Sequence, residues 1–499
     1  MRCIKLSLFF IYMYSDIIVI GAGASGLMAA YSAARTLVDA GSSAQVTLLE
    51  KMPRAGRKIM ITGKGRCNFC NVKDWNSFSS HIRSNPNFVK PSFFNFTPAN
   101  SLSFFEGLGM PVVVERGDRA YPASYRSADV VDTLVRACHG LGVKIESEVE
   151  VKEIIFDGER FAVSSALGLN FTCDKLIIAT GGLSYPTTGS TGDGYAFAQT
   201  AGHSLAPLFP ALTALVPKGY KVKPSASTHS PQFSPQSADL PKSTLPSQSA
   251  LPSQSANLPH HIDRTLPLSG TGKMLCGIQL KNVAAHLLVD GVPAQSEFGD
   301  VDFTDGGIEG PVGFQISRKA VKTIINGSKV TVVLDLKPGV PLAELSARVK
   351  ELWQEVDKDK RSIGLREKEK CRILLGKLMP WDLIPAFRAM NPGITTLEQR
   401  GRSDSKLWVN LPTIAKTLKE WKFEIEGFVG YERAVITAGG VNTSEVVAKT
   451  LESKIRPGLY FCGEVLDMDA DTGGYNMHLA FCTGKLAGES AAKAICCRK

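Results

Sequence analysis

Three glycines near the start of the chain have the spacing of a phosphate-binding turn. Gly21, Gly23 and Gly26 follow an apolar run at 16–20 and precede an Ala-rich helical pattern at 27–40. The first glycine permits a tight turn, the second lets the backbone approach a ligand, and the third lets helix and strand pack closely. Backbone amides at the start of the helix would then face an anion. The pattern therefore predicts a pyrophosphate site.

An acid stands where the ribose of a bound nucleotide would lie. Glu50 ends a second predicted strand at 45–50, 24 residues after Gly26. A carboxylate at this place accepts hydrogen bonds from a ribose diol and disfavours a 2′-phosphate. The glycine motif alone is a weak signal. The alternative to dinucleotide binding is a glycine-rich turn in an ordinary parallel sheet. Set within a strand, turn, helix and strand, it predicts dinucleotide binding.

The far end of the chain favours FAD over NAD. An extended apolar run at 456–464 ends in Gly463-Glu464, and a second glycine pair, Gly473-Gly474, opens another Ala-rich helix. A strand that returns to the cofactor about 400 residues later suits FAD, whose ribityl chain and isoalloxazine ring reach beyond the first strand–helix–strand unit. A third apolar strand at 175–182 ends in small residues, as expected where backbone passes close to a dinucleotide.

Basic residues are concentrated beside the proposed pyrophosphate site. The formal net charge is +10, and between Glu50 and Lys90 there are nine Lys or Arg residues against two acids. Binding of an anionic cofactor explains this concentration at least as well as binding of a polynucleotide does. We therefore do not expect a nucleic acid as partner.

These motifs together resemble the HI0933-like flavoprotein family of NAD(P)/FAD-dependent oxidoreductases, also known as the aminoacetone oxidase family of FAD-binding enzymes. The matching stretches cover nearly the whole chain and lie at 21–30, 56–68 with Asn71, 179–203, 303–317 and 436–488. The resemblance implies an α/β fold in which a Rossmann-like FAD-binding domain is split by an inserted β-barrel-like domain that carries a small helical insert.

The chain departs from the family pattern at four positions on or near the loops that would hold cofactor and substrate. These are Lys64, Cys70, Asp305 and His478. FAD binding therefore carries over from the family more readily than the identity of the substrate does.

The motifs and the resemblance together give a set of candidate cofactor-binding residues. They are Gly21, Gly23, Ala24, Ser25, Gly26, Glu50, Lys51, Arg57, Lys58, Thr62, Gly63, Gly65, Arg66, Cys67, Asn68, Thr180, Gly181, Gly182, Gly463, Glu464, Gly473, Gly474, Tyr475, Asn476 and Met477. No catalytic residue is assigned, and no Cys/His cluster at zinc spacing or other metal motif is found in the sequence. Tyr121 and Arg126 either face the substrate or pack on the surface, and His203 is expected to cap or pack rather than act as a base.

The expected domains follow from the same resemblance. They are the first part of the FAD-binding domain at 13–203, the inserted β domain at 204–339 and 393–430, the helical insert at 340–392, and the second part of the FAD-binding domain at 431–499. Short strands are predicted at 274–334. Helical spacing of apolar residues predicts a helix at 342–356, and a second helical stretch at 371–390 is expected to be broken by Pro380 and Pro385.

One segment has a different composition from the rest. From about 221 to 268 the chain is rich in Ser, Pro and Gln, and the sequence Leu-Pro-Ser-Gln-Ser-Ala occurs twice in tandem at 245–256. Its few apolar residues cannot offset the entropy lost on ordering, which predicts a disordered insertion in a surface loop. The alternative is a proline-rich segment that binds a partner.

The eleven cysteines show no framework spacing, which indicates reduced thiols in a cytoplasmic protein. Cys67 and Cys70 form a C-x-x-C, which suggests either a dithiol that exchanges electrons with the flavin or two unrelated small loop residues.

The apolar run at 6–14 is too short to span a membrane. We expect translation to start at Met13, so N-terminal sequencing of the native protein should begin at that residue.

The predicted function is that of an FAD-dependent oxidoreductase acting on a small molecule, with NAD(P)H as a donor that binds transiently over the flavin. Three alternatives stay open. They are an amine oxidase reduced directly by its substrate, an RNA-modifying flavoprotein, and a flavin or thiol redox sensor without turnover. The sequence does not decide the substrate, the choice of nicotinamide or the oligomeric state.

Overall fold

The structure, a computed structural model, describes residues 12–222, 258–399 and 405–497. Within these residues the strands are β1 (Tyr12–Tyr14), β2 (Ile17–Ile20), β3 (Val46–Leu49), β4 (Cys70–Asn71), β5 (Val112–Glu115), β6 (Arg119–Pro122), β7 (Lys144–Glu146), β8 (Val151–Phe156), β9 (Phe161–Ser165), β10 (Asn170–Cys173), β11 (Lys175–Ile178), β12 (Leu205–Ala211), β13 (Leu215–Pro217), β14 (Gln279–Val289), β15 (Val292–Thr304), β16 (Gly307–Glu309), β17 (Val330–Asp335), β18 (Thr395–Gln399), β19 (Ser405–Val409), β20 (Trp421–Phe428), β21 (Ile436–Val441) and β22 (Leu459–Phe461).

The α-helices in the same residues are α1 (Ala24–Asp39), α2 (Arg57–Ile61), α3 (Trp75–Ser79), α4 (Pro86–Asn95), α5 (Pro98–Gly107), α6 (Ser127–Gly140), α7 (Asp193–Thr200), α8 (Gly270–Leu275), α9 (Gly310–Ile325), α10 (Leu342–Lys358), α11 (Glu367–Leu378), α12 (Ile384–Met390), α13 (Leu411–Lys419) and α14 (Tyr475–Cys496). None of these helices is long and apolar enough to cross a membrane.

The chain divides into two compact units. The first contains the residues up to Leu212 and those from Tyr431 onward, and the second is Thr213–Gly430. The first unit therefore consists of two stretches of sequence that the second unit separates. This agrees with an α/β fold in which a Rossmann-like domain is split by an insertion.

A parallel five-stranded sheet is the centre of the first unit. Its strand order is β22-β11-β2-β3-β7, and every pair in it is parallel. Every residue of β2, β3, β11 and β22 is buried. Strands buried on both faces read as continuous apolar runs, which is how the sequence shows them. Smaller sheets with the orders β1-β10-β9-β8, β4-β6-β5 and β12-β21 surround it.

Helices α1 and α14 pack backbone to backbone beside this sheet. A Cβ atom on Gly484 would lie 2.3 Å from the carbonyl oxygen of Ser25, and one on Gly488 would lie 2.2 Å from that of Ala29. Both distances are far below van der Waals contact, so only glycine permits this approach. The two helices come from opposite ends of the chain and hold the split domain together.

The second unit contains a closed barrel with the strand order β13-β16-β15-β14-β17-β20. Aromatic side chains fill part of its core, with Trp421 4.7 Å from Phe423 and 5.3 Å from Phe387 of α12, ring centre to ring centre. This confirms the predicted barrel. The prediction of short strands at 274–334 was wrong in detail, because β14 and β15 are 11 and 13 residues long and the 16-residue helix α9 follows them.

The helical stretch at 371–390 is interrupted at one of the two predicted prolines. Helix α11 ends at Leu378, two residues before Pro380. Pro385 instead lies in the first turn of α12, where its missing amide hydrogen is not needed. Pro385 therefore starts a helix and does not break one.

Residues 223–257, the greater part of the predicted insertion at about 221–268, lie outside the described residues. The two ends of that segment are described. Lys221 pairs with Leu268 in an isolated β-bridge, and the Lys221 Nζ atom donates to the carbonyl oxygens of Arg264 and Leu266. The described ends are therefore tied to each other.

Replacing Gly484 with alanine should destabilise the first unit, because the added Cβ overlaps the Ser25 carbonyl of α1. We expect a loss of about 1–3 kcal/mol in the free energy of unfolding, measured by urea denaturation. Gly140→Ala is the matched control, since Gly140 also lies in a helix but its Cβ would meet no atom within 4 Å. Equal stability of the two variants would contradict the proposed close packing.

Candidate functional site

The three glycines of the N-terminal turn meet three different requirements. Gly21 has a φ of 98°, and a Cβ there would lie 2.7 Å from the Ala179 oxygen at the end of β11. A Cβ on Gly26 would lie 1.8 Å from the Gly21 oxygen. A Cβ on Gly23, the N-cap of α1, would meet no atom within 4 Å. The turn thus packs tightly at Gly21 and Gly26 and leaves open space in front of Gly23.

Glu50 is held at the end of β3 by backbone amides. Its Oε2 atom accepts from Ala22 N and its Oε1 atom accepts from Met52 N, both at 2.8 Å. Burial raises the pKa of the carboxyl, and the hydrogen bonds from these amides oppose the shift. Each oxygen keeps a second lone pair, so Glu50 is fixed in place and can still accept from a ribose hydroxyl.

A polar network joins four elements of the first unit. Lys58 Nζ lies 2.6 Å from Glu464 Oε2 and also donates to Ser184. Glu464 Oε1 accepts from Ser184 Oγ at 2.6 Å and from the Thr437 amide at 2.8 Å. This network connects α2, the loop after β11, β21 and the loop after β22. It therefore brings together Lys58 and Glu464, two predicted cofactor residues 406 positions apart.

The loop after β11 is closely packed. A Cβ on Gly182 would lie 2.5 Å from Thr437 Oγ1, and one on Gly194 would lie 2.0 Å from Thr180 Oγ1. Lys51 reaches across to this loop and pairs with Asp193 at 2.6 Å. Gly181, between Thr180 and Gly182, has a φ of 73°. The predicted small residues are thus required by the fold.

The predicted loop at 62–68 is a left-handed turn. Gly63, Lys64, Gly65 and Cys67 have φ values of 59°, 57°, 89° and 55°. Thr62 begins the turn, and its hydroxyl donates to the Lys58 carbonyl at 3.0 Å. Since a left-handed non-glycine residue is uncommon, the two at Lys64 and Cys67 mark a loop whose shape is imposed by its surroundings.

Asn68 lies where this loop meets the C-terminal glycine pair. Its Oδ1 atom is buried and has no hydrogen-bond partner among the described residues. A Cβ on Gly474 would lie 2.7 Å from that atom and 2.6 Å from the Cys70 carbonyl oxygen. The side-chain amide of Asn71 donates to the Gly473 carbonyl at 3.1 Å. The structure therefore brings the 62–71 loop and the Gly473-Gly474 loop into direct contact.

Arg66 points away from this contact toward the β5–β6 hairpin. Its guanidinium lies 4.7 Å from the ring centre of Tyr121 and 4.4 Å from that of Tyr125, and it pairs with Glu115 at 2.6 Å. Tyr121 is thus engaged by Arg66. Arg126 is a largely exposed side chain 4.0 Å from Asp129, so the two residues named as substrate-facing candidates do not form one cluster.

The remaining predicted residues are placed as follows. Ala24, Ser25 and Gly26 form the first turn of α1, and Met477 lies in the first turn of α14. The side-chain oxygen of Asn476 accepts from Ala470 N at 2.8 Å. Its side-chain nitrogen donates to the carbonyls of Ala470 and Asp471 at 2.7 and 3.1 Å. Ser25 packs against Gly463, since a Cβ on that glycine would lie 2.3 Å from Ser25 Oγ. Arg57 is exposed at the start of α2 and has no ion-pair partner in the part of the chain described.

The C-x-x-C cysteines are both buried and form no disulfide. Burial raises the pKa of the Cys67 thiol to about 12 and that of the Cys70 thiol further. Cys70 Sγ lies 3.4 Å from Nδ1 of His478, and Cys482 Sγ lies 3.3 Å from Nε2 of the same ring. Burial lowers the pKa of His478 to about 3. These thiols stay protonated at neutral pH, which argues against a dithiol that exchanges with a flavin.

Sequence reasoning missed a charged cluster around Asp471. Arg83 Nε donates to Asp471 Oδ1 at 2.7 Å, and His81 Nδ1 lies 3.0 Å from Asp471 Oδ2. The only sequence signal was the pair of acids Asp469 and Asp471 just before the glycine pair. His203, by contrast, packs as expected, 3.2 Å from Glu445 and 2.7 Å from Ser453.

The arrangement fits a bound FAD. Open space at Gly23 admits a pyrophosphate to the amides at the start of α1, and the fixed carboxylate of Glu50 suits a ribose. The buried Asn68 Oδ1 atom lacks a donor, which a flavin ring N–H would supply. No group of three or more His, Cys, Asp or Glu residues among those described could hold a metal ion.

The fold and this site define a Rossmann-type flavoprotein, and comparison with known proteins gives its family. The model of the HI0933-like protein Rossmann domain matches residues 15–490, and the chain belongs to this family. It is 30% identical over 475 residues to a 3-dehydro-bile acid delta(4,6)-reductase of Clostridium scindens, which covers 95% of this chain and 98% of that protein.

Two further relatives have a different named substrate. The chain is 29% identical over 473 residues to a ribosomal RNA dihydrouridine synthase of Haemophilus influenzae, covering 94% of this chain and 96% of that protein. It is 25% identical over 473 residues to the protein of the same name in Escherichia coli, with coverages of 93% and 95%. The chain is thus an FAD-dependent oxidoreductase by family.

Replacing Gly23 with alanine should reduce flavin content without harming the fold. Gly23 has an ordinary φ of −78° and free space for a Cβ, so the unfolding midpoint of the apoprotein should be unchanged or slightly raised. A methyl group facing the pyrophosphate should weaken FAD binding about tenfold or more, a cost of about 1.4 kcal/mol or above. The loss of affinity is measured from the absorbance of bound flavin at a fixed concentration of free FAD.

Gly21→Ala is the contrasting variant for that experiment. Its positive φ and its short distance to the Ala179 oxygen predict a loss of stability in the apoprotein itself. Normal FAD affinity in Gly23→Ala would place the cofactor elsewhere.

Alkylation should distinguish buried from exposed thiols. In the native protein at mildly alkaline pH, Cys67 and Cys70 should not react with iodoacetamide, because both are buried and protonated. Cys497, which is exposed, should react readily and serves as the internal control. Peptide mass spectrometry before and after unfolding gives the comparison, and rapid native labelling of Cys67 would revive the dithiol hypothesis.

Proposed function

We propose that this chain uses FAD, reduced by NADH or NADPH, to saturate a carbon–carbon double bond conjugated with a carbonyl group in a small cyclic molecule. One observation carries the proposal. Relatives that match nearly the whole chain have dissimilar named substrates, a bile acid and ribosomal RNA, yet each name describes the saturation of ring carbon–carbon double bonds. The shared element is the reaction, and this chain is expected to share it.

The described residues supply what such a reaction requires of the protein. Bound FAD supplies two-electron hydride chemistry. The chain positions it through the amides at the start of α1, the carboxylate of Glu50 and the loops that meet at Asn68 and Gly474. Helix α14 begins at this meeting point, and the positive end of its dipole favours negative charge on a reduced flavin.

Charge compensation favours a small molecule over RNA as the substrate. Of the nine basic residues between Glu50 and Lys90, five form ion pairs with acids of the same unit: Lys51, Arg54, Lys58, Arg66 and Arg83. A phosphate backbone is bound by uncompensated cations. Arg57 and Lys64 of this stretch form no ion pair with the residues that the structure describes, and they are available to the two phosphates of FAD.

Dihydrouridine synthesis on RNA is the second candidate, favoured by the two relatives of that name. It requires retention of RNA at moderate salt and loss of uridine absorbance on turnover. The small-molecule proposal requires neither.

An anaerobic titration tests the proposal. Adding NADH or NADPH to the holoprotein should bleach the visible absorbance of bound flavin, and one nucleotide should act at lower concentration. Subsequent addition of cyclohex-2-enone or of a 3-keto-4-ene steroid should restore the oxidised spectrum, whereas the corresponding saturated ketones, as matched controls, should not.

Other outcomes of the same titration identify the alternatives. Restoration of the spectrum by a ribosomal RNA transcript, but by neither enone, would favour the RNA-modifying function. Failure of both nucleotides to bleach the flavin would contradict a nicotinamide donor and point to direct reduction by a substrate such as an amine.

A further inference from the structure

Saturating a double bond requires a proton as well as a hydride, and nothing above assigns the proton donor. The inference that follows rests on the proposed function and adds to it a catalytic residue. Such a donor must lie beside the flavin, must carry a proton at neutral pH, and must be free to contact a substrate.

Tyr475 lies at the meeting point of the two cofactor loops. It follows Gly473-Gly474 directly as the first residue of α14, and a Cβ on Gly473 would lie 3.4 Å from its Cε2 atom. The side chain is 3% exposed. Its ring stacks on His81 with centres 4.4 Å apart and contacts Phe78 edge to face at 4.9 Å. The ring therefore has one fixed position.

The hydroxyl group of Tyr475, unlike its ring, has no partner. Within the described residues it forms no hydrogen bond, although the side chain is almost wholly buried. The hydroxyl oxygen itself is not fully buried and retains contact with solvent. Buried tyrosine hydroxyls are normally hydrogen-bonded. Because this oxygen reaches solvent and makes no protein contact, a ligand bound at the cofactor loop can take it as a hydrogen-bond partner without breaking an existing bond.

The surroundings keep this hydroxyl protonated. Burial and then the negative charge of Asp471 raise the pKa of Tyr475 to about 12. Asp471 has a nearly buried side chain, and Arg83 and His81 hold it in place. The phenol is thus a stable O–H donor at neutral pH. It is still a far stronger acid than a carbon beside a carbonyl group, so proton transfer to such a carbon is favourable.

We propose that Tyr475 is the proton donor of the reduction. The substrate accepts a hydride at the carbon distant from its carbonyl, and the electron pair of the double bond moves toward the carbon next to the carbonyl. The O–H bond of Tyr475 breaks, and its proton forms the new C–H bond at that second carbon. The phenolate then takes a proton from water. Hydride and proton together account for the two hydrogens added, and the nicotinamide donor supplies both electrons.

Tyr475→Phe removes the hydroxyl oxygen and keeps the ring. In anaerobic stopped-flow experiments on the holoprotein, reduction of the flavin by the effective nicotinamide should stay within about twofold of wild type. Reoxidation by the enone that restores the wild-type spectrum should slow by about 100-fold or more, as expected on loss of a general acid. Reoxidation by ferricyanide, which involves no new C–H bond, should be unchanged.

Tyr31→Phe is the matched control. Tyr31 lies on α1, where its ring contacts Phe104 at 5.2 Å, and the substitution should leave both half-reactions as in wild type. Enone reoxidation at the wild-type rate in Tyr475→Phe would overturn the inference. So would an equal slowing with ferricyanide, because the hydroxyl would then act on the flavin. Failure of every enone with the wild-type protein would overturn the proposed function itself, and the donor role with it.

A second measurement does not depend on the folding of the phenylalanine variant. Incorporation of 3-fluorotyrosine at position 475 preserves the shape of the side chain and lowers the pKa of the phenol. A stronger acid should transfer its proton faster, so enone reoxidation should accelerate and its solvent deuterium isotope effect should change. An unchanged rate and isotope effect would exclude Tyr475 as the donor.

Discussion

The close contact between α1 and α14 is the interaction on which the candidate site depends. Gly484 and Gly488 let the backbones of the two helices touch at Ser25 and Ala29. The N-terminal glycine turn precedes one helix, and the glycine pair 473–474 precedes the other. The helix contact therefore sets the distance between the end of the site that would hold the pyrophosphate and the end that would hold the flavin ring. A shift of α14 would separate Asn68 from Gly474 as well.

Ion pairs between distant segments of the first unit shape the site. Lys58 with Glu464 and Lys51 with Asp193 each join segments far apart in the sequence. These pairs are partly buried, so they fix the loops more than they stabilise the fold, because desolvation offsets much of the attraction between the charges. The few cations left unpaired at the start of α2 and in the 62–68 loop can then act on an anionic ligand.

The sequence predicted those parts of the site that depend on local geometry. The roles of Gly21 and Gly26 follow from their spacing within one turn, and the structure shows the contacts that require glycine there. The end of β3 at Glu50 was equally predictable, since buried parallel strands read as continuous apolar runs. The barrel strands were predicted too short, because register shifts in the β14–β15 hairpin interrupt the alternation that marks a strand.

Contacts between distant residues could not be predicted. Nothing in the sequence pairs His81 with Asp471, or Cys70 with His478, because each pair is created by the return of the chain after the inserted unit. The unpartnered state of the Tyr475 hydroxyl is likewise a property of the folded surroundings. Tyr475 itself was predicted as a cofactor residue from its place in a motif, which gives the position of a side chain but not what its hydroxyl contacts.

The split of the first unit has a consequence for biosynthesis. Domains fold as units while the chain emerges from the ribosome, at about 5–20 residues per second. Here β11 has no neighbour on one side until β22 is made, and the side of α1 at Ser25 and Ala29 waits for the glycines of α14, the last helix described. The nascent chain thus carries an unpaired strand edge while the whole barrel is synthesised, which is the kind of edge that chaperones shield from aggregation. FAD can act as a folding ligand only once α14 has emerged, since the loop before that helix forms part of its binding site.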